Sequence, residues 1–500
     1  MSLTVLAALR LETLALRRGL RDPASQVVRT GMGPARARAA AERLVTDDYK
    51  GPLAVAGVCG GVDSELRPGD VVVATALRTA DGSEREVPGA AVLATAVRAL
   101  GLRCVTGTLL SVERLERTAR RAAVGHEGVV AVDMESAWLV AAAGDGPLAV
   151  LRVVADANGR SVYDPRMLVD GTRALVMLER AAPALEEWAR ATGPRTVLLA
   201  GPRSFCAGVE RAIQVVERAL HQRGAPIYVR KQIVHNVHVV DELENRGAVF
   251  VEELDEVPDG ATVVFSAHGV APQVKQTAAV RGLDVIDATC PLVNKVHAEA
   301  RGFARRGKTI VLIGHAGHEE VVGTMGEAPD SIVLVETVAD LDTLEIADPE
   351  QVAYLTQTTL SVDDTDVVVD ELRVRFPLVE GPSSADICYA TQNRQHALKA
   401  VARASDLVLV VGSENSSNSV RLVEVAEKEG ATARLVDDHT GLDPAWLAGK
   451  RTIGLTAGAS APERLVQRVI DELSGLGPIA VEDCTVAQES IQFNLPKEVS

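Results

Sequence analysis

Residues 284–300, DVIDATCPLVNKVHAEA, pass from a short apolar, β-branched run through Thr289, Cys290 and Pro291 into a pattern with helical spacing. Pro291 suits the first turn of a helix, where no amide hydrogen is required. Two other stretches read the same way. GPRSFCAGVERAIQVVERAL (201–220) and ADICYATQNRQHALKA (385–400) each place a cysteine, Cys206 or Cys388, ahead of a helix-like run. The intervals between the three cysteines are similar, which predicts three similar α/β lobes facing a shared centre.

Working outward, apolar runs that end in glycine or small polar residues recur: GPLAVAGVCGG (51–61), TVLLAGPRS (196–204), TIVLIGHAGH (309–318), DLVLVVGSENSS (406–417) and RTIGLTAGAS (451–460). Each reads as a buried strand entering a loop before a helical pattern, and this alternation implies α/β layers with mostly parallel sheets. Ligands in such sheets gather at the carboxyl ends of strands. A helical stretch from about Tyr163 to Ala191 ends at Gly193 and Pro194, so one domain is expected over 1–192 and another over 196–496. At 500 residues the chain is long enough for two cores.

Composition narrows the function. The chain is 47% hydrophobic, 24% charged and only 3% aromatic, with a formal net charge of -16. That balance repels nucleic acid and anionic membrane surfaces and implies no nucleic-acid partner. The opening MSLTVLAALRLETLALRRGL is broken by Arg10, Glu12, Arg17 and Arg18, so neither a signal peptide nor a membrane span is expected, and a cytoplasmic location follows. Six dispersed cysteines argue against a disulfide framework and leave metal ligation or simple burial.

A cysteine at a helix N-terminus meets free amides and the positive dipole end, which favour thiolate. Three such thiolates from three lobes can hold three irons of a 4Fe-4S cluster and leave the fourth open as a Lewis acid. Ordinary buried cysteines are the alternative, and it is accepted for Cys59, Cys104 and Cys484, which lack polar company. Around Cys206, Cys290 and Cys388 the neighbours are polar or turn-forming: Arg203, Ser204, Thr289, Pro291, Tyr389, Thr391 and Gln392.

FCAGVERAI, IVHNVHVVDEL, FSAHGV, DATCPLVNKVH, GHAGHEEVVGTMGE, LTQTTLSVDDT, DICYATQNRQ, GSENSSNS and TAGASAPE, in this order over 196–496, resemble the successive motifs of the 4-hydroxy-3-methylbut-2-enyl diphosphate reductases, the IspH/LytB family. The resemblance implies an iron-sulfur oxidoreductase of isoprene biosynthesis, the last step of the methylerythritol phosphate pathway. The allylic alcohol takes two electrons and two protons, loses water and becomes isopentenyl or dimethylallyl diphosphate. It further implies one oxygen-sensitive 4Fe-4S cluster per chain on Cys206, Cys290 and Cys388, and a ferredoxin or flavodoxin as electron donor. Glu320 matches the proton-relay glutamate, with His318 and Thr358 as polar partners, and Glu319 is a bystander. His235, His268, Ser416, Ser417, Asn418 and Ser460 match the diphosphate contacts, donors suited to a dense anion. Helix capping is the other use of the serines and asparagine in GSENSSNS. His221, His238, His297, His315, His396 and His439 are left structural or exposed.

RTGMGPARARAAAERL (29–44), LAVAGVCGGVDSELRPGDVVVATAL (53–77), VVAVDMESAWLVAAAG (129–144) and LRVVADANG (151–159) resemble the nucleoside phosphorylase and nucleosidase superfamily, most closely its hopanoid-associated members. There a Met-Glu pair grips ribose and a later Asp handles the base, here Met134, Glu135 and Asp156. Glu12 stands where nucleosidases carry a water-activating glutamate, and Gly31, Met32 and Gly33 could form a phosphate-binding turn. The other reading makes Glu12 part of a solvated helix face and DMES a helix start capped by Asp133. Two alternatives to the reductase remain: N-glycosidic cleavage by the first domain as the principal activity, and a diphosphate-binding module without metal.

Overall fold

The computed structural model describes residues 2–46, 51–114, 128–156 and 167–500. The chain divides into two compact units. The first comprises 1–197 with 438–453 and 467–481; the second comprises 198–437, 454–466 and 482–500. The first therefore takes in two segments from late in the chain as well as the region expected at 1–192.

In the first unit the strands are β1 (Thr4–Ala7), β2 (Gln26–Arg29), β3 (Leu53–Gly61), β4 (Val71–Thr79), β5 (Glu84–Glu86), β6 (Cys104–Ser111), β7 (Val129–Asp133) and β8 (Leu148–Asp156). They form one mixed sheet in the order β2-β1-β3-β7-β6-β4-β5, with β8 bridging β3 and β4. The pairings β3-β8-β4-β6-β7-β3 close a ring. The sheet is mostly parallel, as expected, with β3-β7, β4-β8 and β4-β5 as its antiparallel pairs. The closed ring leaves β3 no free edge and the helix Met167–Arg190 packs against it, so nearly every side chain of LAVAGVCGG is buried. The helix Met167–Arg190 takes the place of the stretch expected from Tyr163, whose first residues lie outside the described ones.

Three further sheets follow, as the three-lobe expectation requires: two lie within the second unit, and the third draws the first residues of three of its strands from ranges of the first. The four-stranded sheet holds β10 (Ile227–Arg230), β11 (Ala248–Val251), β12 (Thr262–Phe265) and β13 (Asp284–Asp287) in the order β11-β10-β12-β13. The three-stranded sheet holds β14 (Thr309–Ile313), β15 (Ile332–Val335) and β16 (Val352–Thr356) in the order β15-β14-β16. The five-stranded sheet, β18-β17-β19-β9-β20, is built from β9 (Arg195–Gly201), β17 (Leu407–Val411), β18 (Ala433–Val436), β19 (Thr452–Ala457) and β20 (Ile479–Thr485). The four- and three-stranded sheets pair entirely in parallel, β17 and β18 likewise.

Each cysteine of interest lies where the chain leaves one lobe for the next. Cys206 follows β9 of the five-stranded sheet and opens helix Ala207–Arg223, whose Ala212, Val215, Val216 and Ala219 pack on the four-stranded sheet. Cys290 follows β13 and opens Pro291–Arg305, which packs Val296, Ala300 and Phe303 on the three-stranded sheet. Cys388 opens Tyr389–Ala402, which packs Ala397, Leu398 and Val401 on the five-stranded sheet. It differs from the other two in its approach: a loop after helix Val362–Arg375, not a strand, leads into it.

Candidate active site

The three cysteines are the N-cap residues of their helices. Cys388 Sγ accepts the Thr391 amide at 3.4 Å and lies 3.1 Å from its hydroxyl. At Cys290 the first-turn amides of Leu292 and Val293 favour the anion, although no side-chain capping bond forms there. Gly208 separates two of the sulfurs: a Cβ there would lie 2.7 Å from Cys290 Sγ and 3.8 Å from Cys206 Sγ. At Cys290 and Cys388 the dipole ends do not by themselves make thiolates, contrary to the expectation from the sequence. Burial pushes the Cys290 thiol up to about 12 and Cys388 up to about 11, because desolvation outweighs the amide donors. Donors arranged for anionic sulfur in a space too dry to keep sulfur anionic suit a bound cation, which reverses that balance. Among the described residues no group of His, Cys, Asp or Glu is gathered tightly enough for a single metal ion. A multi-iron group instead takes several thiolates around it, and three cysteines lining one pocket are a donor set chemically suited to it.

All the cysteine, glutamate, histidine, threonine, serine and asparagine positions assigned to the second domain from sequence line one pocket of the second unit. Glu320 is 2% exposed, at the start of helix Glu319–Glu327. Its carboxyl accepts the Thr358 amide at 2.6 Å and the Thr358 hydroxyl at 2.9 Å. Burial pushes it up to about 7, against the two Thr358 bonds that pull it down. His318 caps the same helix through its Nδ1, which accepts the Glu320 amide at 3.2 Å.

His235 and His268 stack with ring centroids 4.3 Å apart, and His318 stands edge-on to both at 6.0 and 5.9 Å. Burial lowers all three below the ordinary histidine range, His318 to about 4, with mutual repulsion adding to it at His268 and His318. Three neutral imidazoles crowded together can each offer one N–H, and a multiply charged anion beside them would raise their proton affinity.

Ser416 is the N-cap of helix Ser417–Lys428 and lies 3.1 Å from Ser460 through their hydroxyls. Ser417 accepts from Thr359 at 3.1 Å, and Asn418 donates to Thr391 at 3.3 Å while accepting the Ala459 amide at 2.9 Å. Thr391 thus joins Cys388 to Asn418. The capping alternative is partly realised: Ser416 occupies the cap position, yet no side-chain capping bond forms there, and its hydroxyl meets those of Ser460 and Ser419 instead.

Among the pocket residues that the sequence reading left unassigned, three bear on its chemistry or its walls: Thr359, Thr391 and Phe493. Thr359 and Thr391 stand beside motif residues that were assigned, so only geometry distinguishes them. Phe493 comes from the segment 486–500, which has no helix or strand and no sequence signal linking it to the site. His297, left as structural, is buried 3.0 Å from Glu327.

The first unit gathers a second constellation. Glu12 is 1% exposed, so it is not on a solvated helix face; its carboxyl accepts the Leu9 and Val58 amides at 2.7 and 2.8 Å. Arg152 is fully buried, 2.5 Å from Asp133 and 3.8 Å from Glu135. A Cβ at Gly57 would be 2.5 Å from both Arg152 and Glu12. Asp133 is not the cap of the short helix Ser136–Leu139, whose N-cap is Glu135, though its carboxyl accepts the Ser136 amide at 2.9 Å. Gly31 and Gly33 have positive φ, but the Gly33 amide donates to Glu135 at 3.0 Å. Met134 packs in an apolar cluster with Val62, Leu110 and Val132, and Asp156 is buried at the end of β8. Arg152 was not identified from sequence: it sits inside an apolar strand pattern, where an arginine gives no positional signal.

Three α/β lobes whose crossings meet at one dry, donor-rich pocket define a class of three-lobed α/β proteins. Residues 197–474 match the profile of the LytB protein family, and 25–175 that of the Phosphorylase superfamily. The chain belongs to the LytB family. A 4-hydroxy-3-methylbut-2-enyl diphosphate reductase of Azoarcus sp. is 59% identical over 303 residues, covering 61% of this chain and 97% of the relative. The enzyme of that name from Mycolicibacterium paratuberculosis is 61% identical over 306 residues, covering 61% and 92%. Among solved structures, the E-1-hydroxy-2-methyl-but-2-enyl-4-diphosphate reductase from Plasmodium falciparum aligns with a TM-score of 0.59 at 40% identity, over 61% of this chain and 97% of its own. Among the described residues no helix is long and apolar enough to cross a membrane.

Proposed function

We propose that the second unit reductively removes the hydroxyl of 4-hydroxy-3-methylbut-2-enyl diphosphate. Two electrons and two protons are consumed, the C–O bond breaks, one proton leaves with the hydroxyl as water, and the other ends on carbon. The products are isopentenyl and dimethylallyl diphosphates. The observation that carries this reading is Glu320, a buried carboxyl held by Thr358 and kept protonated up to about pH 7, in the same pocket as three helix-capping cysteines.

Hydroxide leaves poorly, so the departing oxygen needs an acid, and Glu320 supplies its proton. Cys206, Cys290 and Cys388 would hold a 4Fe-4S cluster, which supplies the electrons and a Lewis-acidic iron. His235, His268, His318, Ser416, Ser417, Asn418 and Ser460, which come from three lobes to line the one pocket, supply the donors that a diphosphate requires. A ferredoxin or flavodoxin serves as electron donor. The test is oxidation of reduced viologen by the anaerobically purified chain on addition of the substrate, with iron and sulfide assayed on the same sample. Substrate-dependent oxidation with about four irons per chain supports the reading; a loaded protein that does not turn over rejects it.

For the first unit the buried convergence of Glu12 and Arg152 on Gly57, next to Glu135, supports a second reading, N-glycosidic cleavage. Its test is release of purine from a panel of nucleosides, abolished by Glu12→Ala.

A further inference from the structure

The three lobe crossings share more than a cysteine. Arg211, in the helix opened by Cys206, donates to the carbonyls of Ala288 and Thr289 at 3.1 Å each, immediately before Cys290. Lys295, in the helix opened by Cys290, donates to the carbonyls of Ser384 and Ala385 at 2.6 and 3.3 Å, just before Cys388. Arg394, in the helix opened by Cys388, donates to the carbonyls of Ser204 at 2.6 Å and Phe205 at 3.2 Å, just before Cys206. The ring is closed: each cysteine's helix holds, by one cation, the backbone that delivers the next cysteine.

We propose that Arg211, Lys295 and Arg394 are positioning residues that set the spacing of the three sulfurs for the cluster, a proposal that rests on reading Cys206, Cys290 and Cys388 as its ligands. Hydrophobic packing fixes each helix on its own sheet, but it does not fix one lobe's loop against the next lobe's helix. Carbonyl oxygens gripped by a charged donor do, because such bonds are stronger and more directional than apolar contact. Ser204 lies under that grip. It holds φ at 60°, in the left-handed region that L residues rarely adopt, two residues before Cys206 and directly under Arg394.

Each cation is itself neutralised or oriented. Glu489 lies 3.1 Å from Arg394, Asp386 lies 2.9 Å from Lys295, and the Asn494 carbonyl accepts from Arg211 at 2.8 Å. Two of these partners belong to the segment 486–500, which also contributes Phe493 to the pocket and seats Leu495 and Val499 in the core of the four-stranded lobe. An apparently structureless tail is thereby part of the frame around the cysteines.

Lys295→Met is the variant of choice, since Lys295 is the least buried of the three and Met keeps its length and apolar stem. Reconstituted protein is challenged anaerobically with an iron chelator and the loss of iron and of visible absorption is followed, alongside thermal melts of the cluster-free chain. The expected result is iron loss roughly 10–100-fold faster than wild type, the usual effect of removing support behind a metal ligand, with recovery in Lys295→Arg, the residue type found at the other two crossings. Iron release at the wild-type rate overturns the proposal, as does a lowered melting temperature of the cluster-free chain with unchanged release. Wild-type protein that retains no iron after reconstitution overturns the ligand reading itself.

Discussion

The amide and the hydroxyl of Thr358 both donate to the Glu320 carboxyl, at 2.6 and 2.9 Å, and hold it in a pocket so dry that it stays protonated up to about pH 7. Glu320→Gln keeps the shape and loses the acid, so turnover should fall by about 100-fold or more while iron content stays at the wild-type level. Near-normal turnover would remove Glu320 from the mechanism. Thr358→Val deletes a bond that lowers the carboxyl's proton affinity, so the alkaline limb of the rate profile should move to higher pH.

The same carboxyl makes stability depend on pH. Folded, it keeps its proton to about 7; unfolded, it releases it near the ordinary 4.5. Below 4.5 both states are protonated and nothing is lost. Between 4.5 and 7 the unfolded chain binds fewer protons, so rising pH destabilises the fold. Glu320→Gln lacks this penalty. The melting temperature of the cluster-free variant, relative to wild type, should therefore climb from pH 5 to pH 8, and a flat difference would contradict the buried, protonated state.

Gly208 leaves space that any side chain would fill, because its Cβ would sit 2.7 Å from Cys290 Sγ. Gly208→Ala should fold, since the position is helical, and yet bind iron poorly. Full iron incorporation with wild-type absorption would show that Cys290 is not held where it is needed.

Ser419 is fully buried, and its hydroxyl donates to Ser416 at 3.1 Å. Gly412 and Gly458 flank that hydroxyl so closely that a Cβ at either would collide with it. Ser419→Ala should raise KM with little change in kcat, by about tenfold if roughly 1.4 kcal/mol of a hydrogen bond to charge is lost. Ser416→Ala should raise it at least as much; an unchanged KM in both would exclude this end of the pocket from diphosphate binding.

Arg152 stands between Asp133 and Glu135 with no access to solvent. Removing it, as in Arg152→Met, leaves buried carboxylates without a counter-charge and should cost about 3–5 kcal/mol, seen as a lower denaturant midpoint for the first unit. A variant as stable as wild type would mean that these carboxyls are neutral in the fold.

Much of this was legible in the sequence for local reasons. The cysteine-to-helix transitions, the small polar residues after apolar strands and the histidine motifs are short-range patterns, and the residues they mark do converge on one pocket. The approach to Cys388 was misjudged as a strand because the loop 376–387 carries apolar residues that pack as a strand would. The closed ring of the first unit was missed because pairing direction is not written in a strand's composition.

The sequence by itself determined that the chain is α/β, that three lobes repeat a cysteine before a helix, and which cysteines, glutamate, histidines and serines belong together, since motif order and residue type are properties of the chain. Only the tertiary structure decided that each cysteine sits at a crossing between lobes, that Arg211, Lys295 and Arg394 close a ring around them, and that Phe493 and Glu489 reach the same centre. Those relationships join residues 77 to 190 positions apart, and no local propensity encodes a hydrogen bond between backbone and side chain at such separations; it exists only once the lobes have packed.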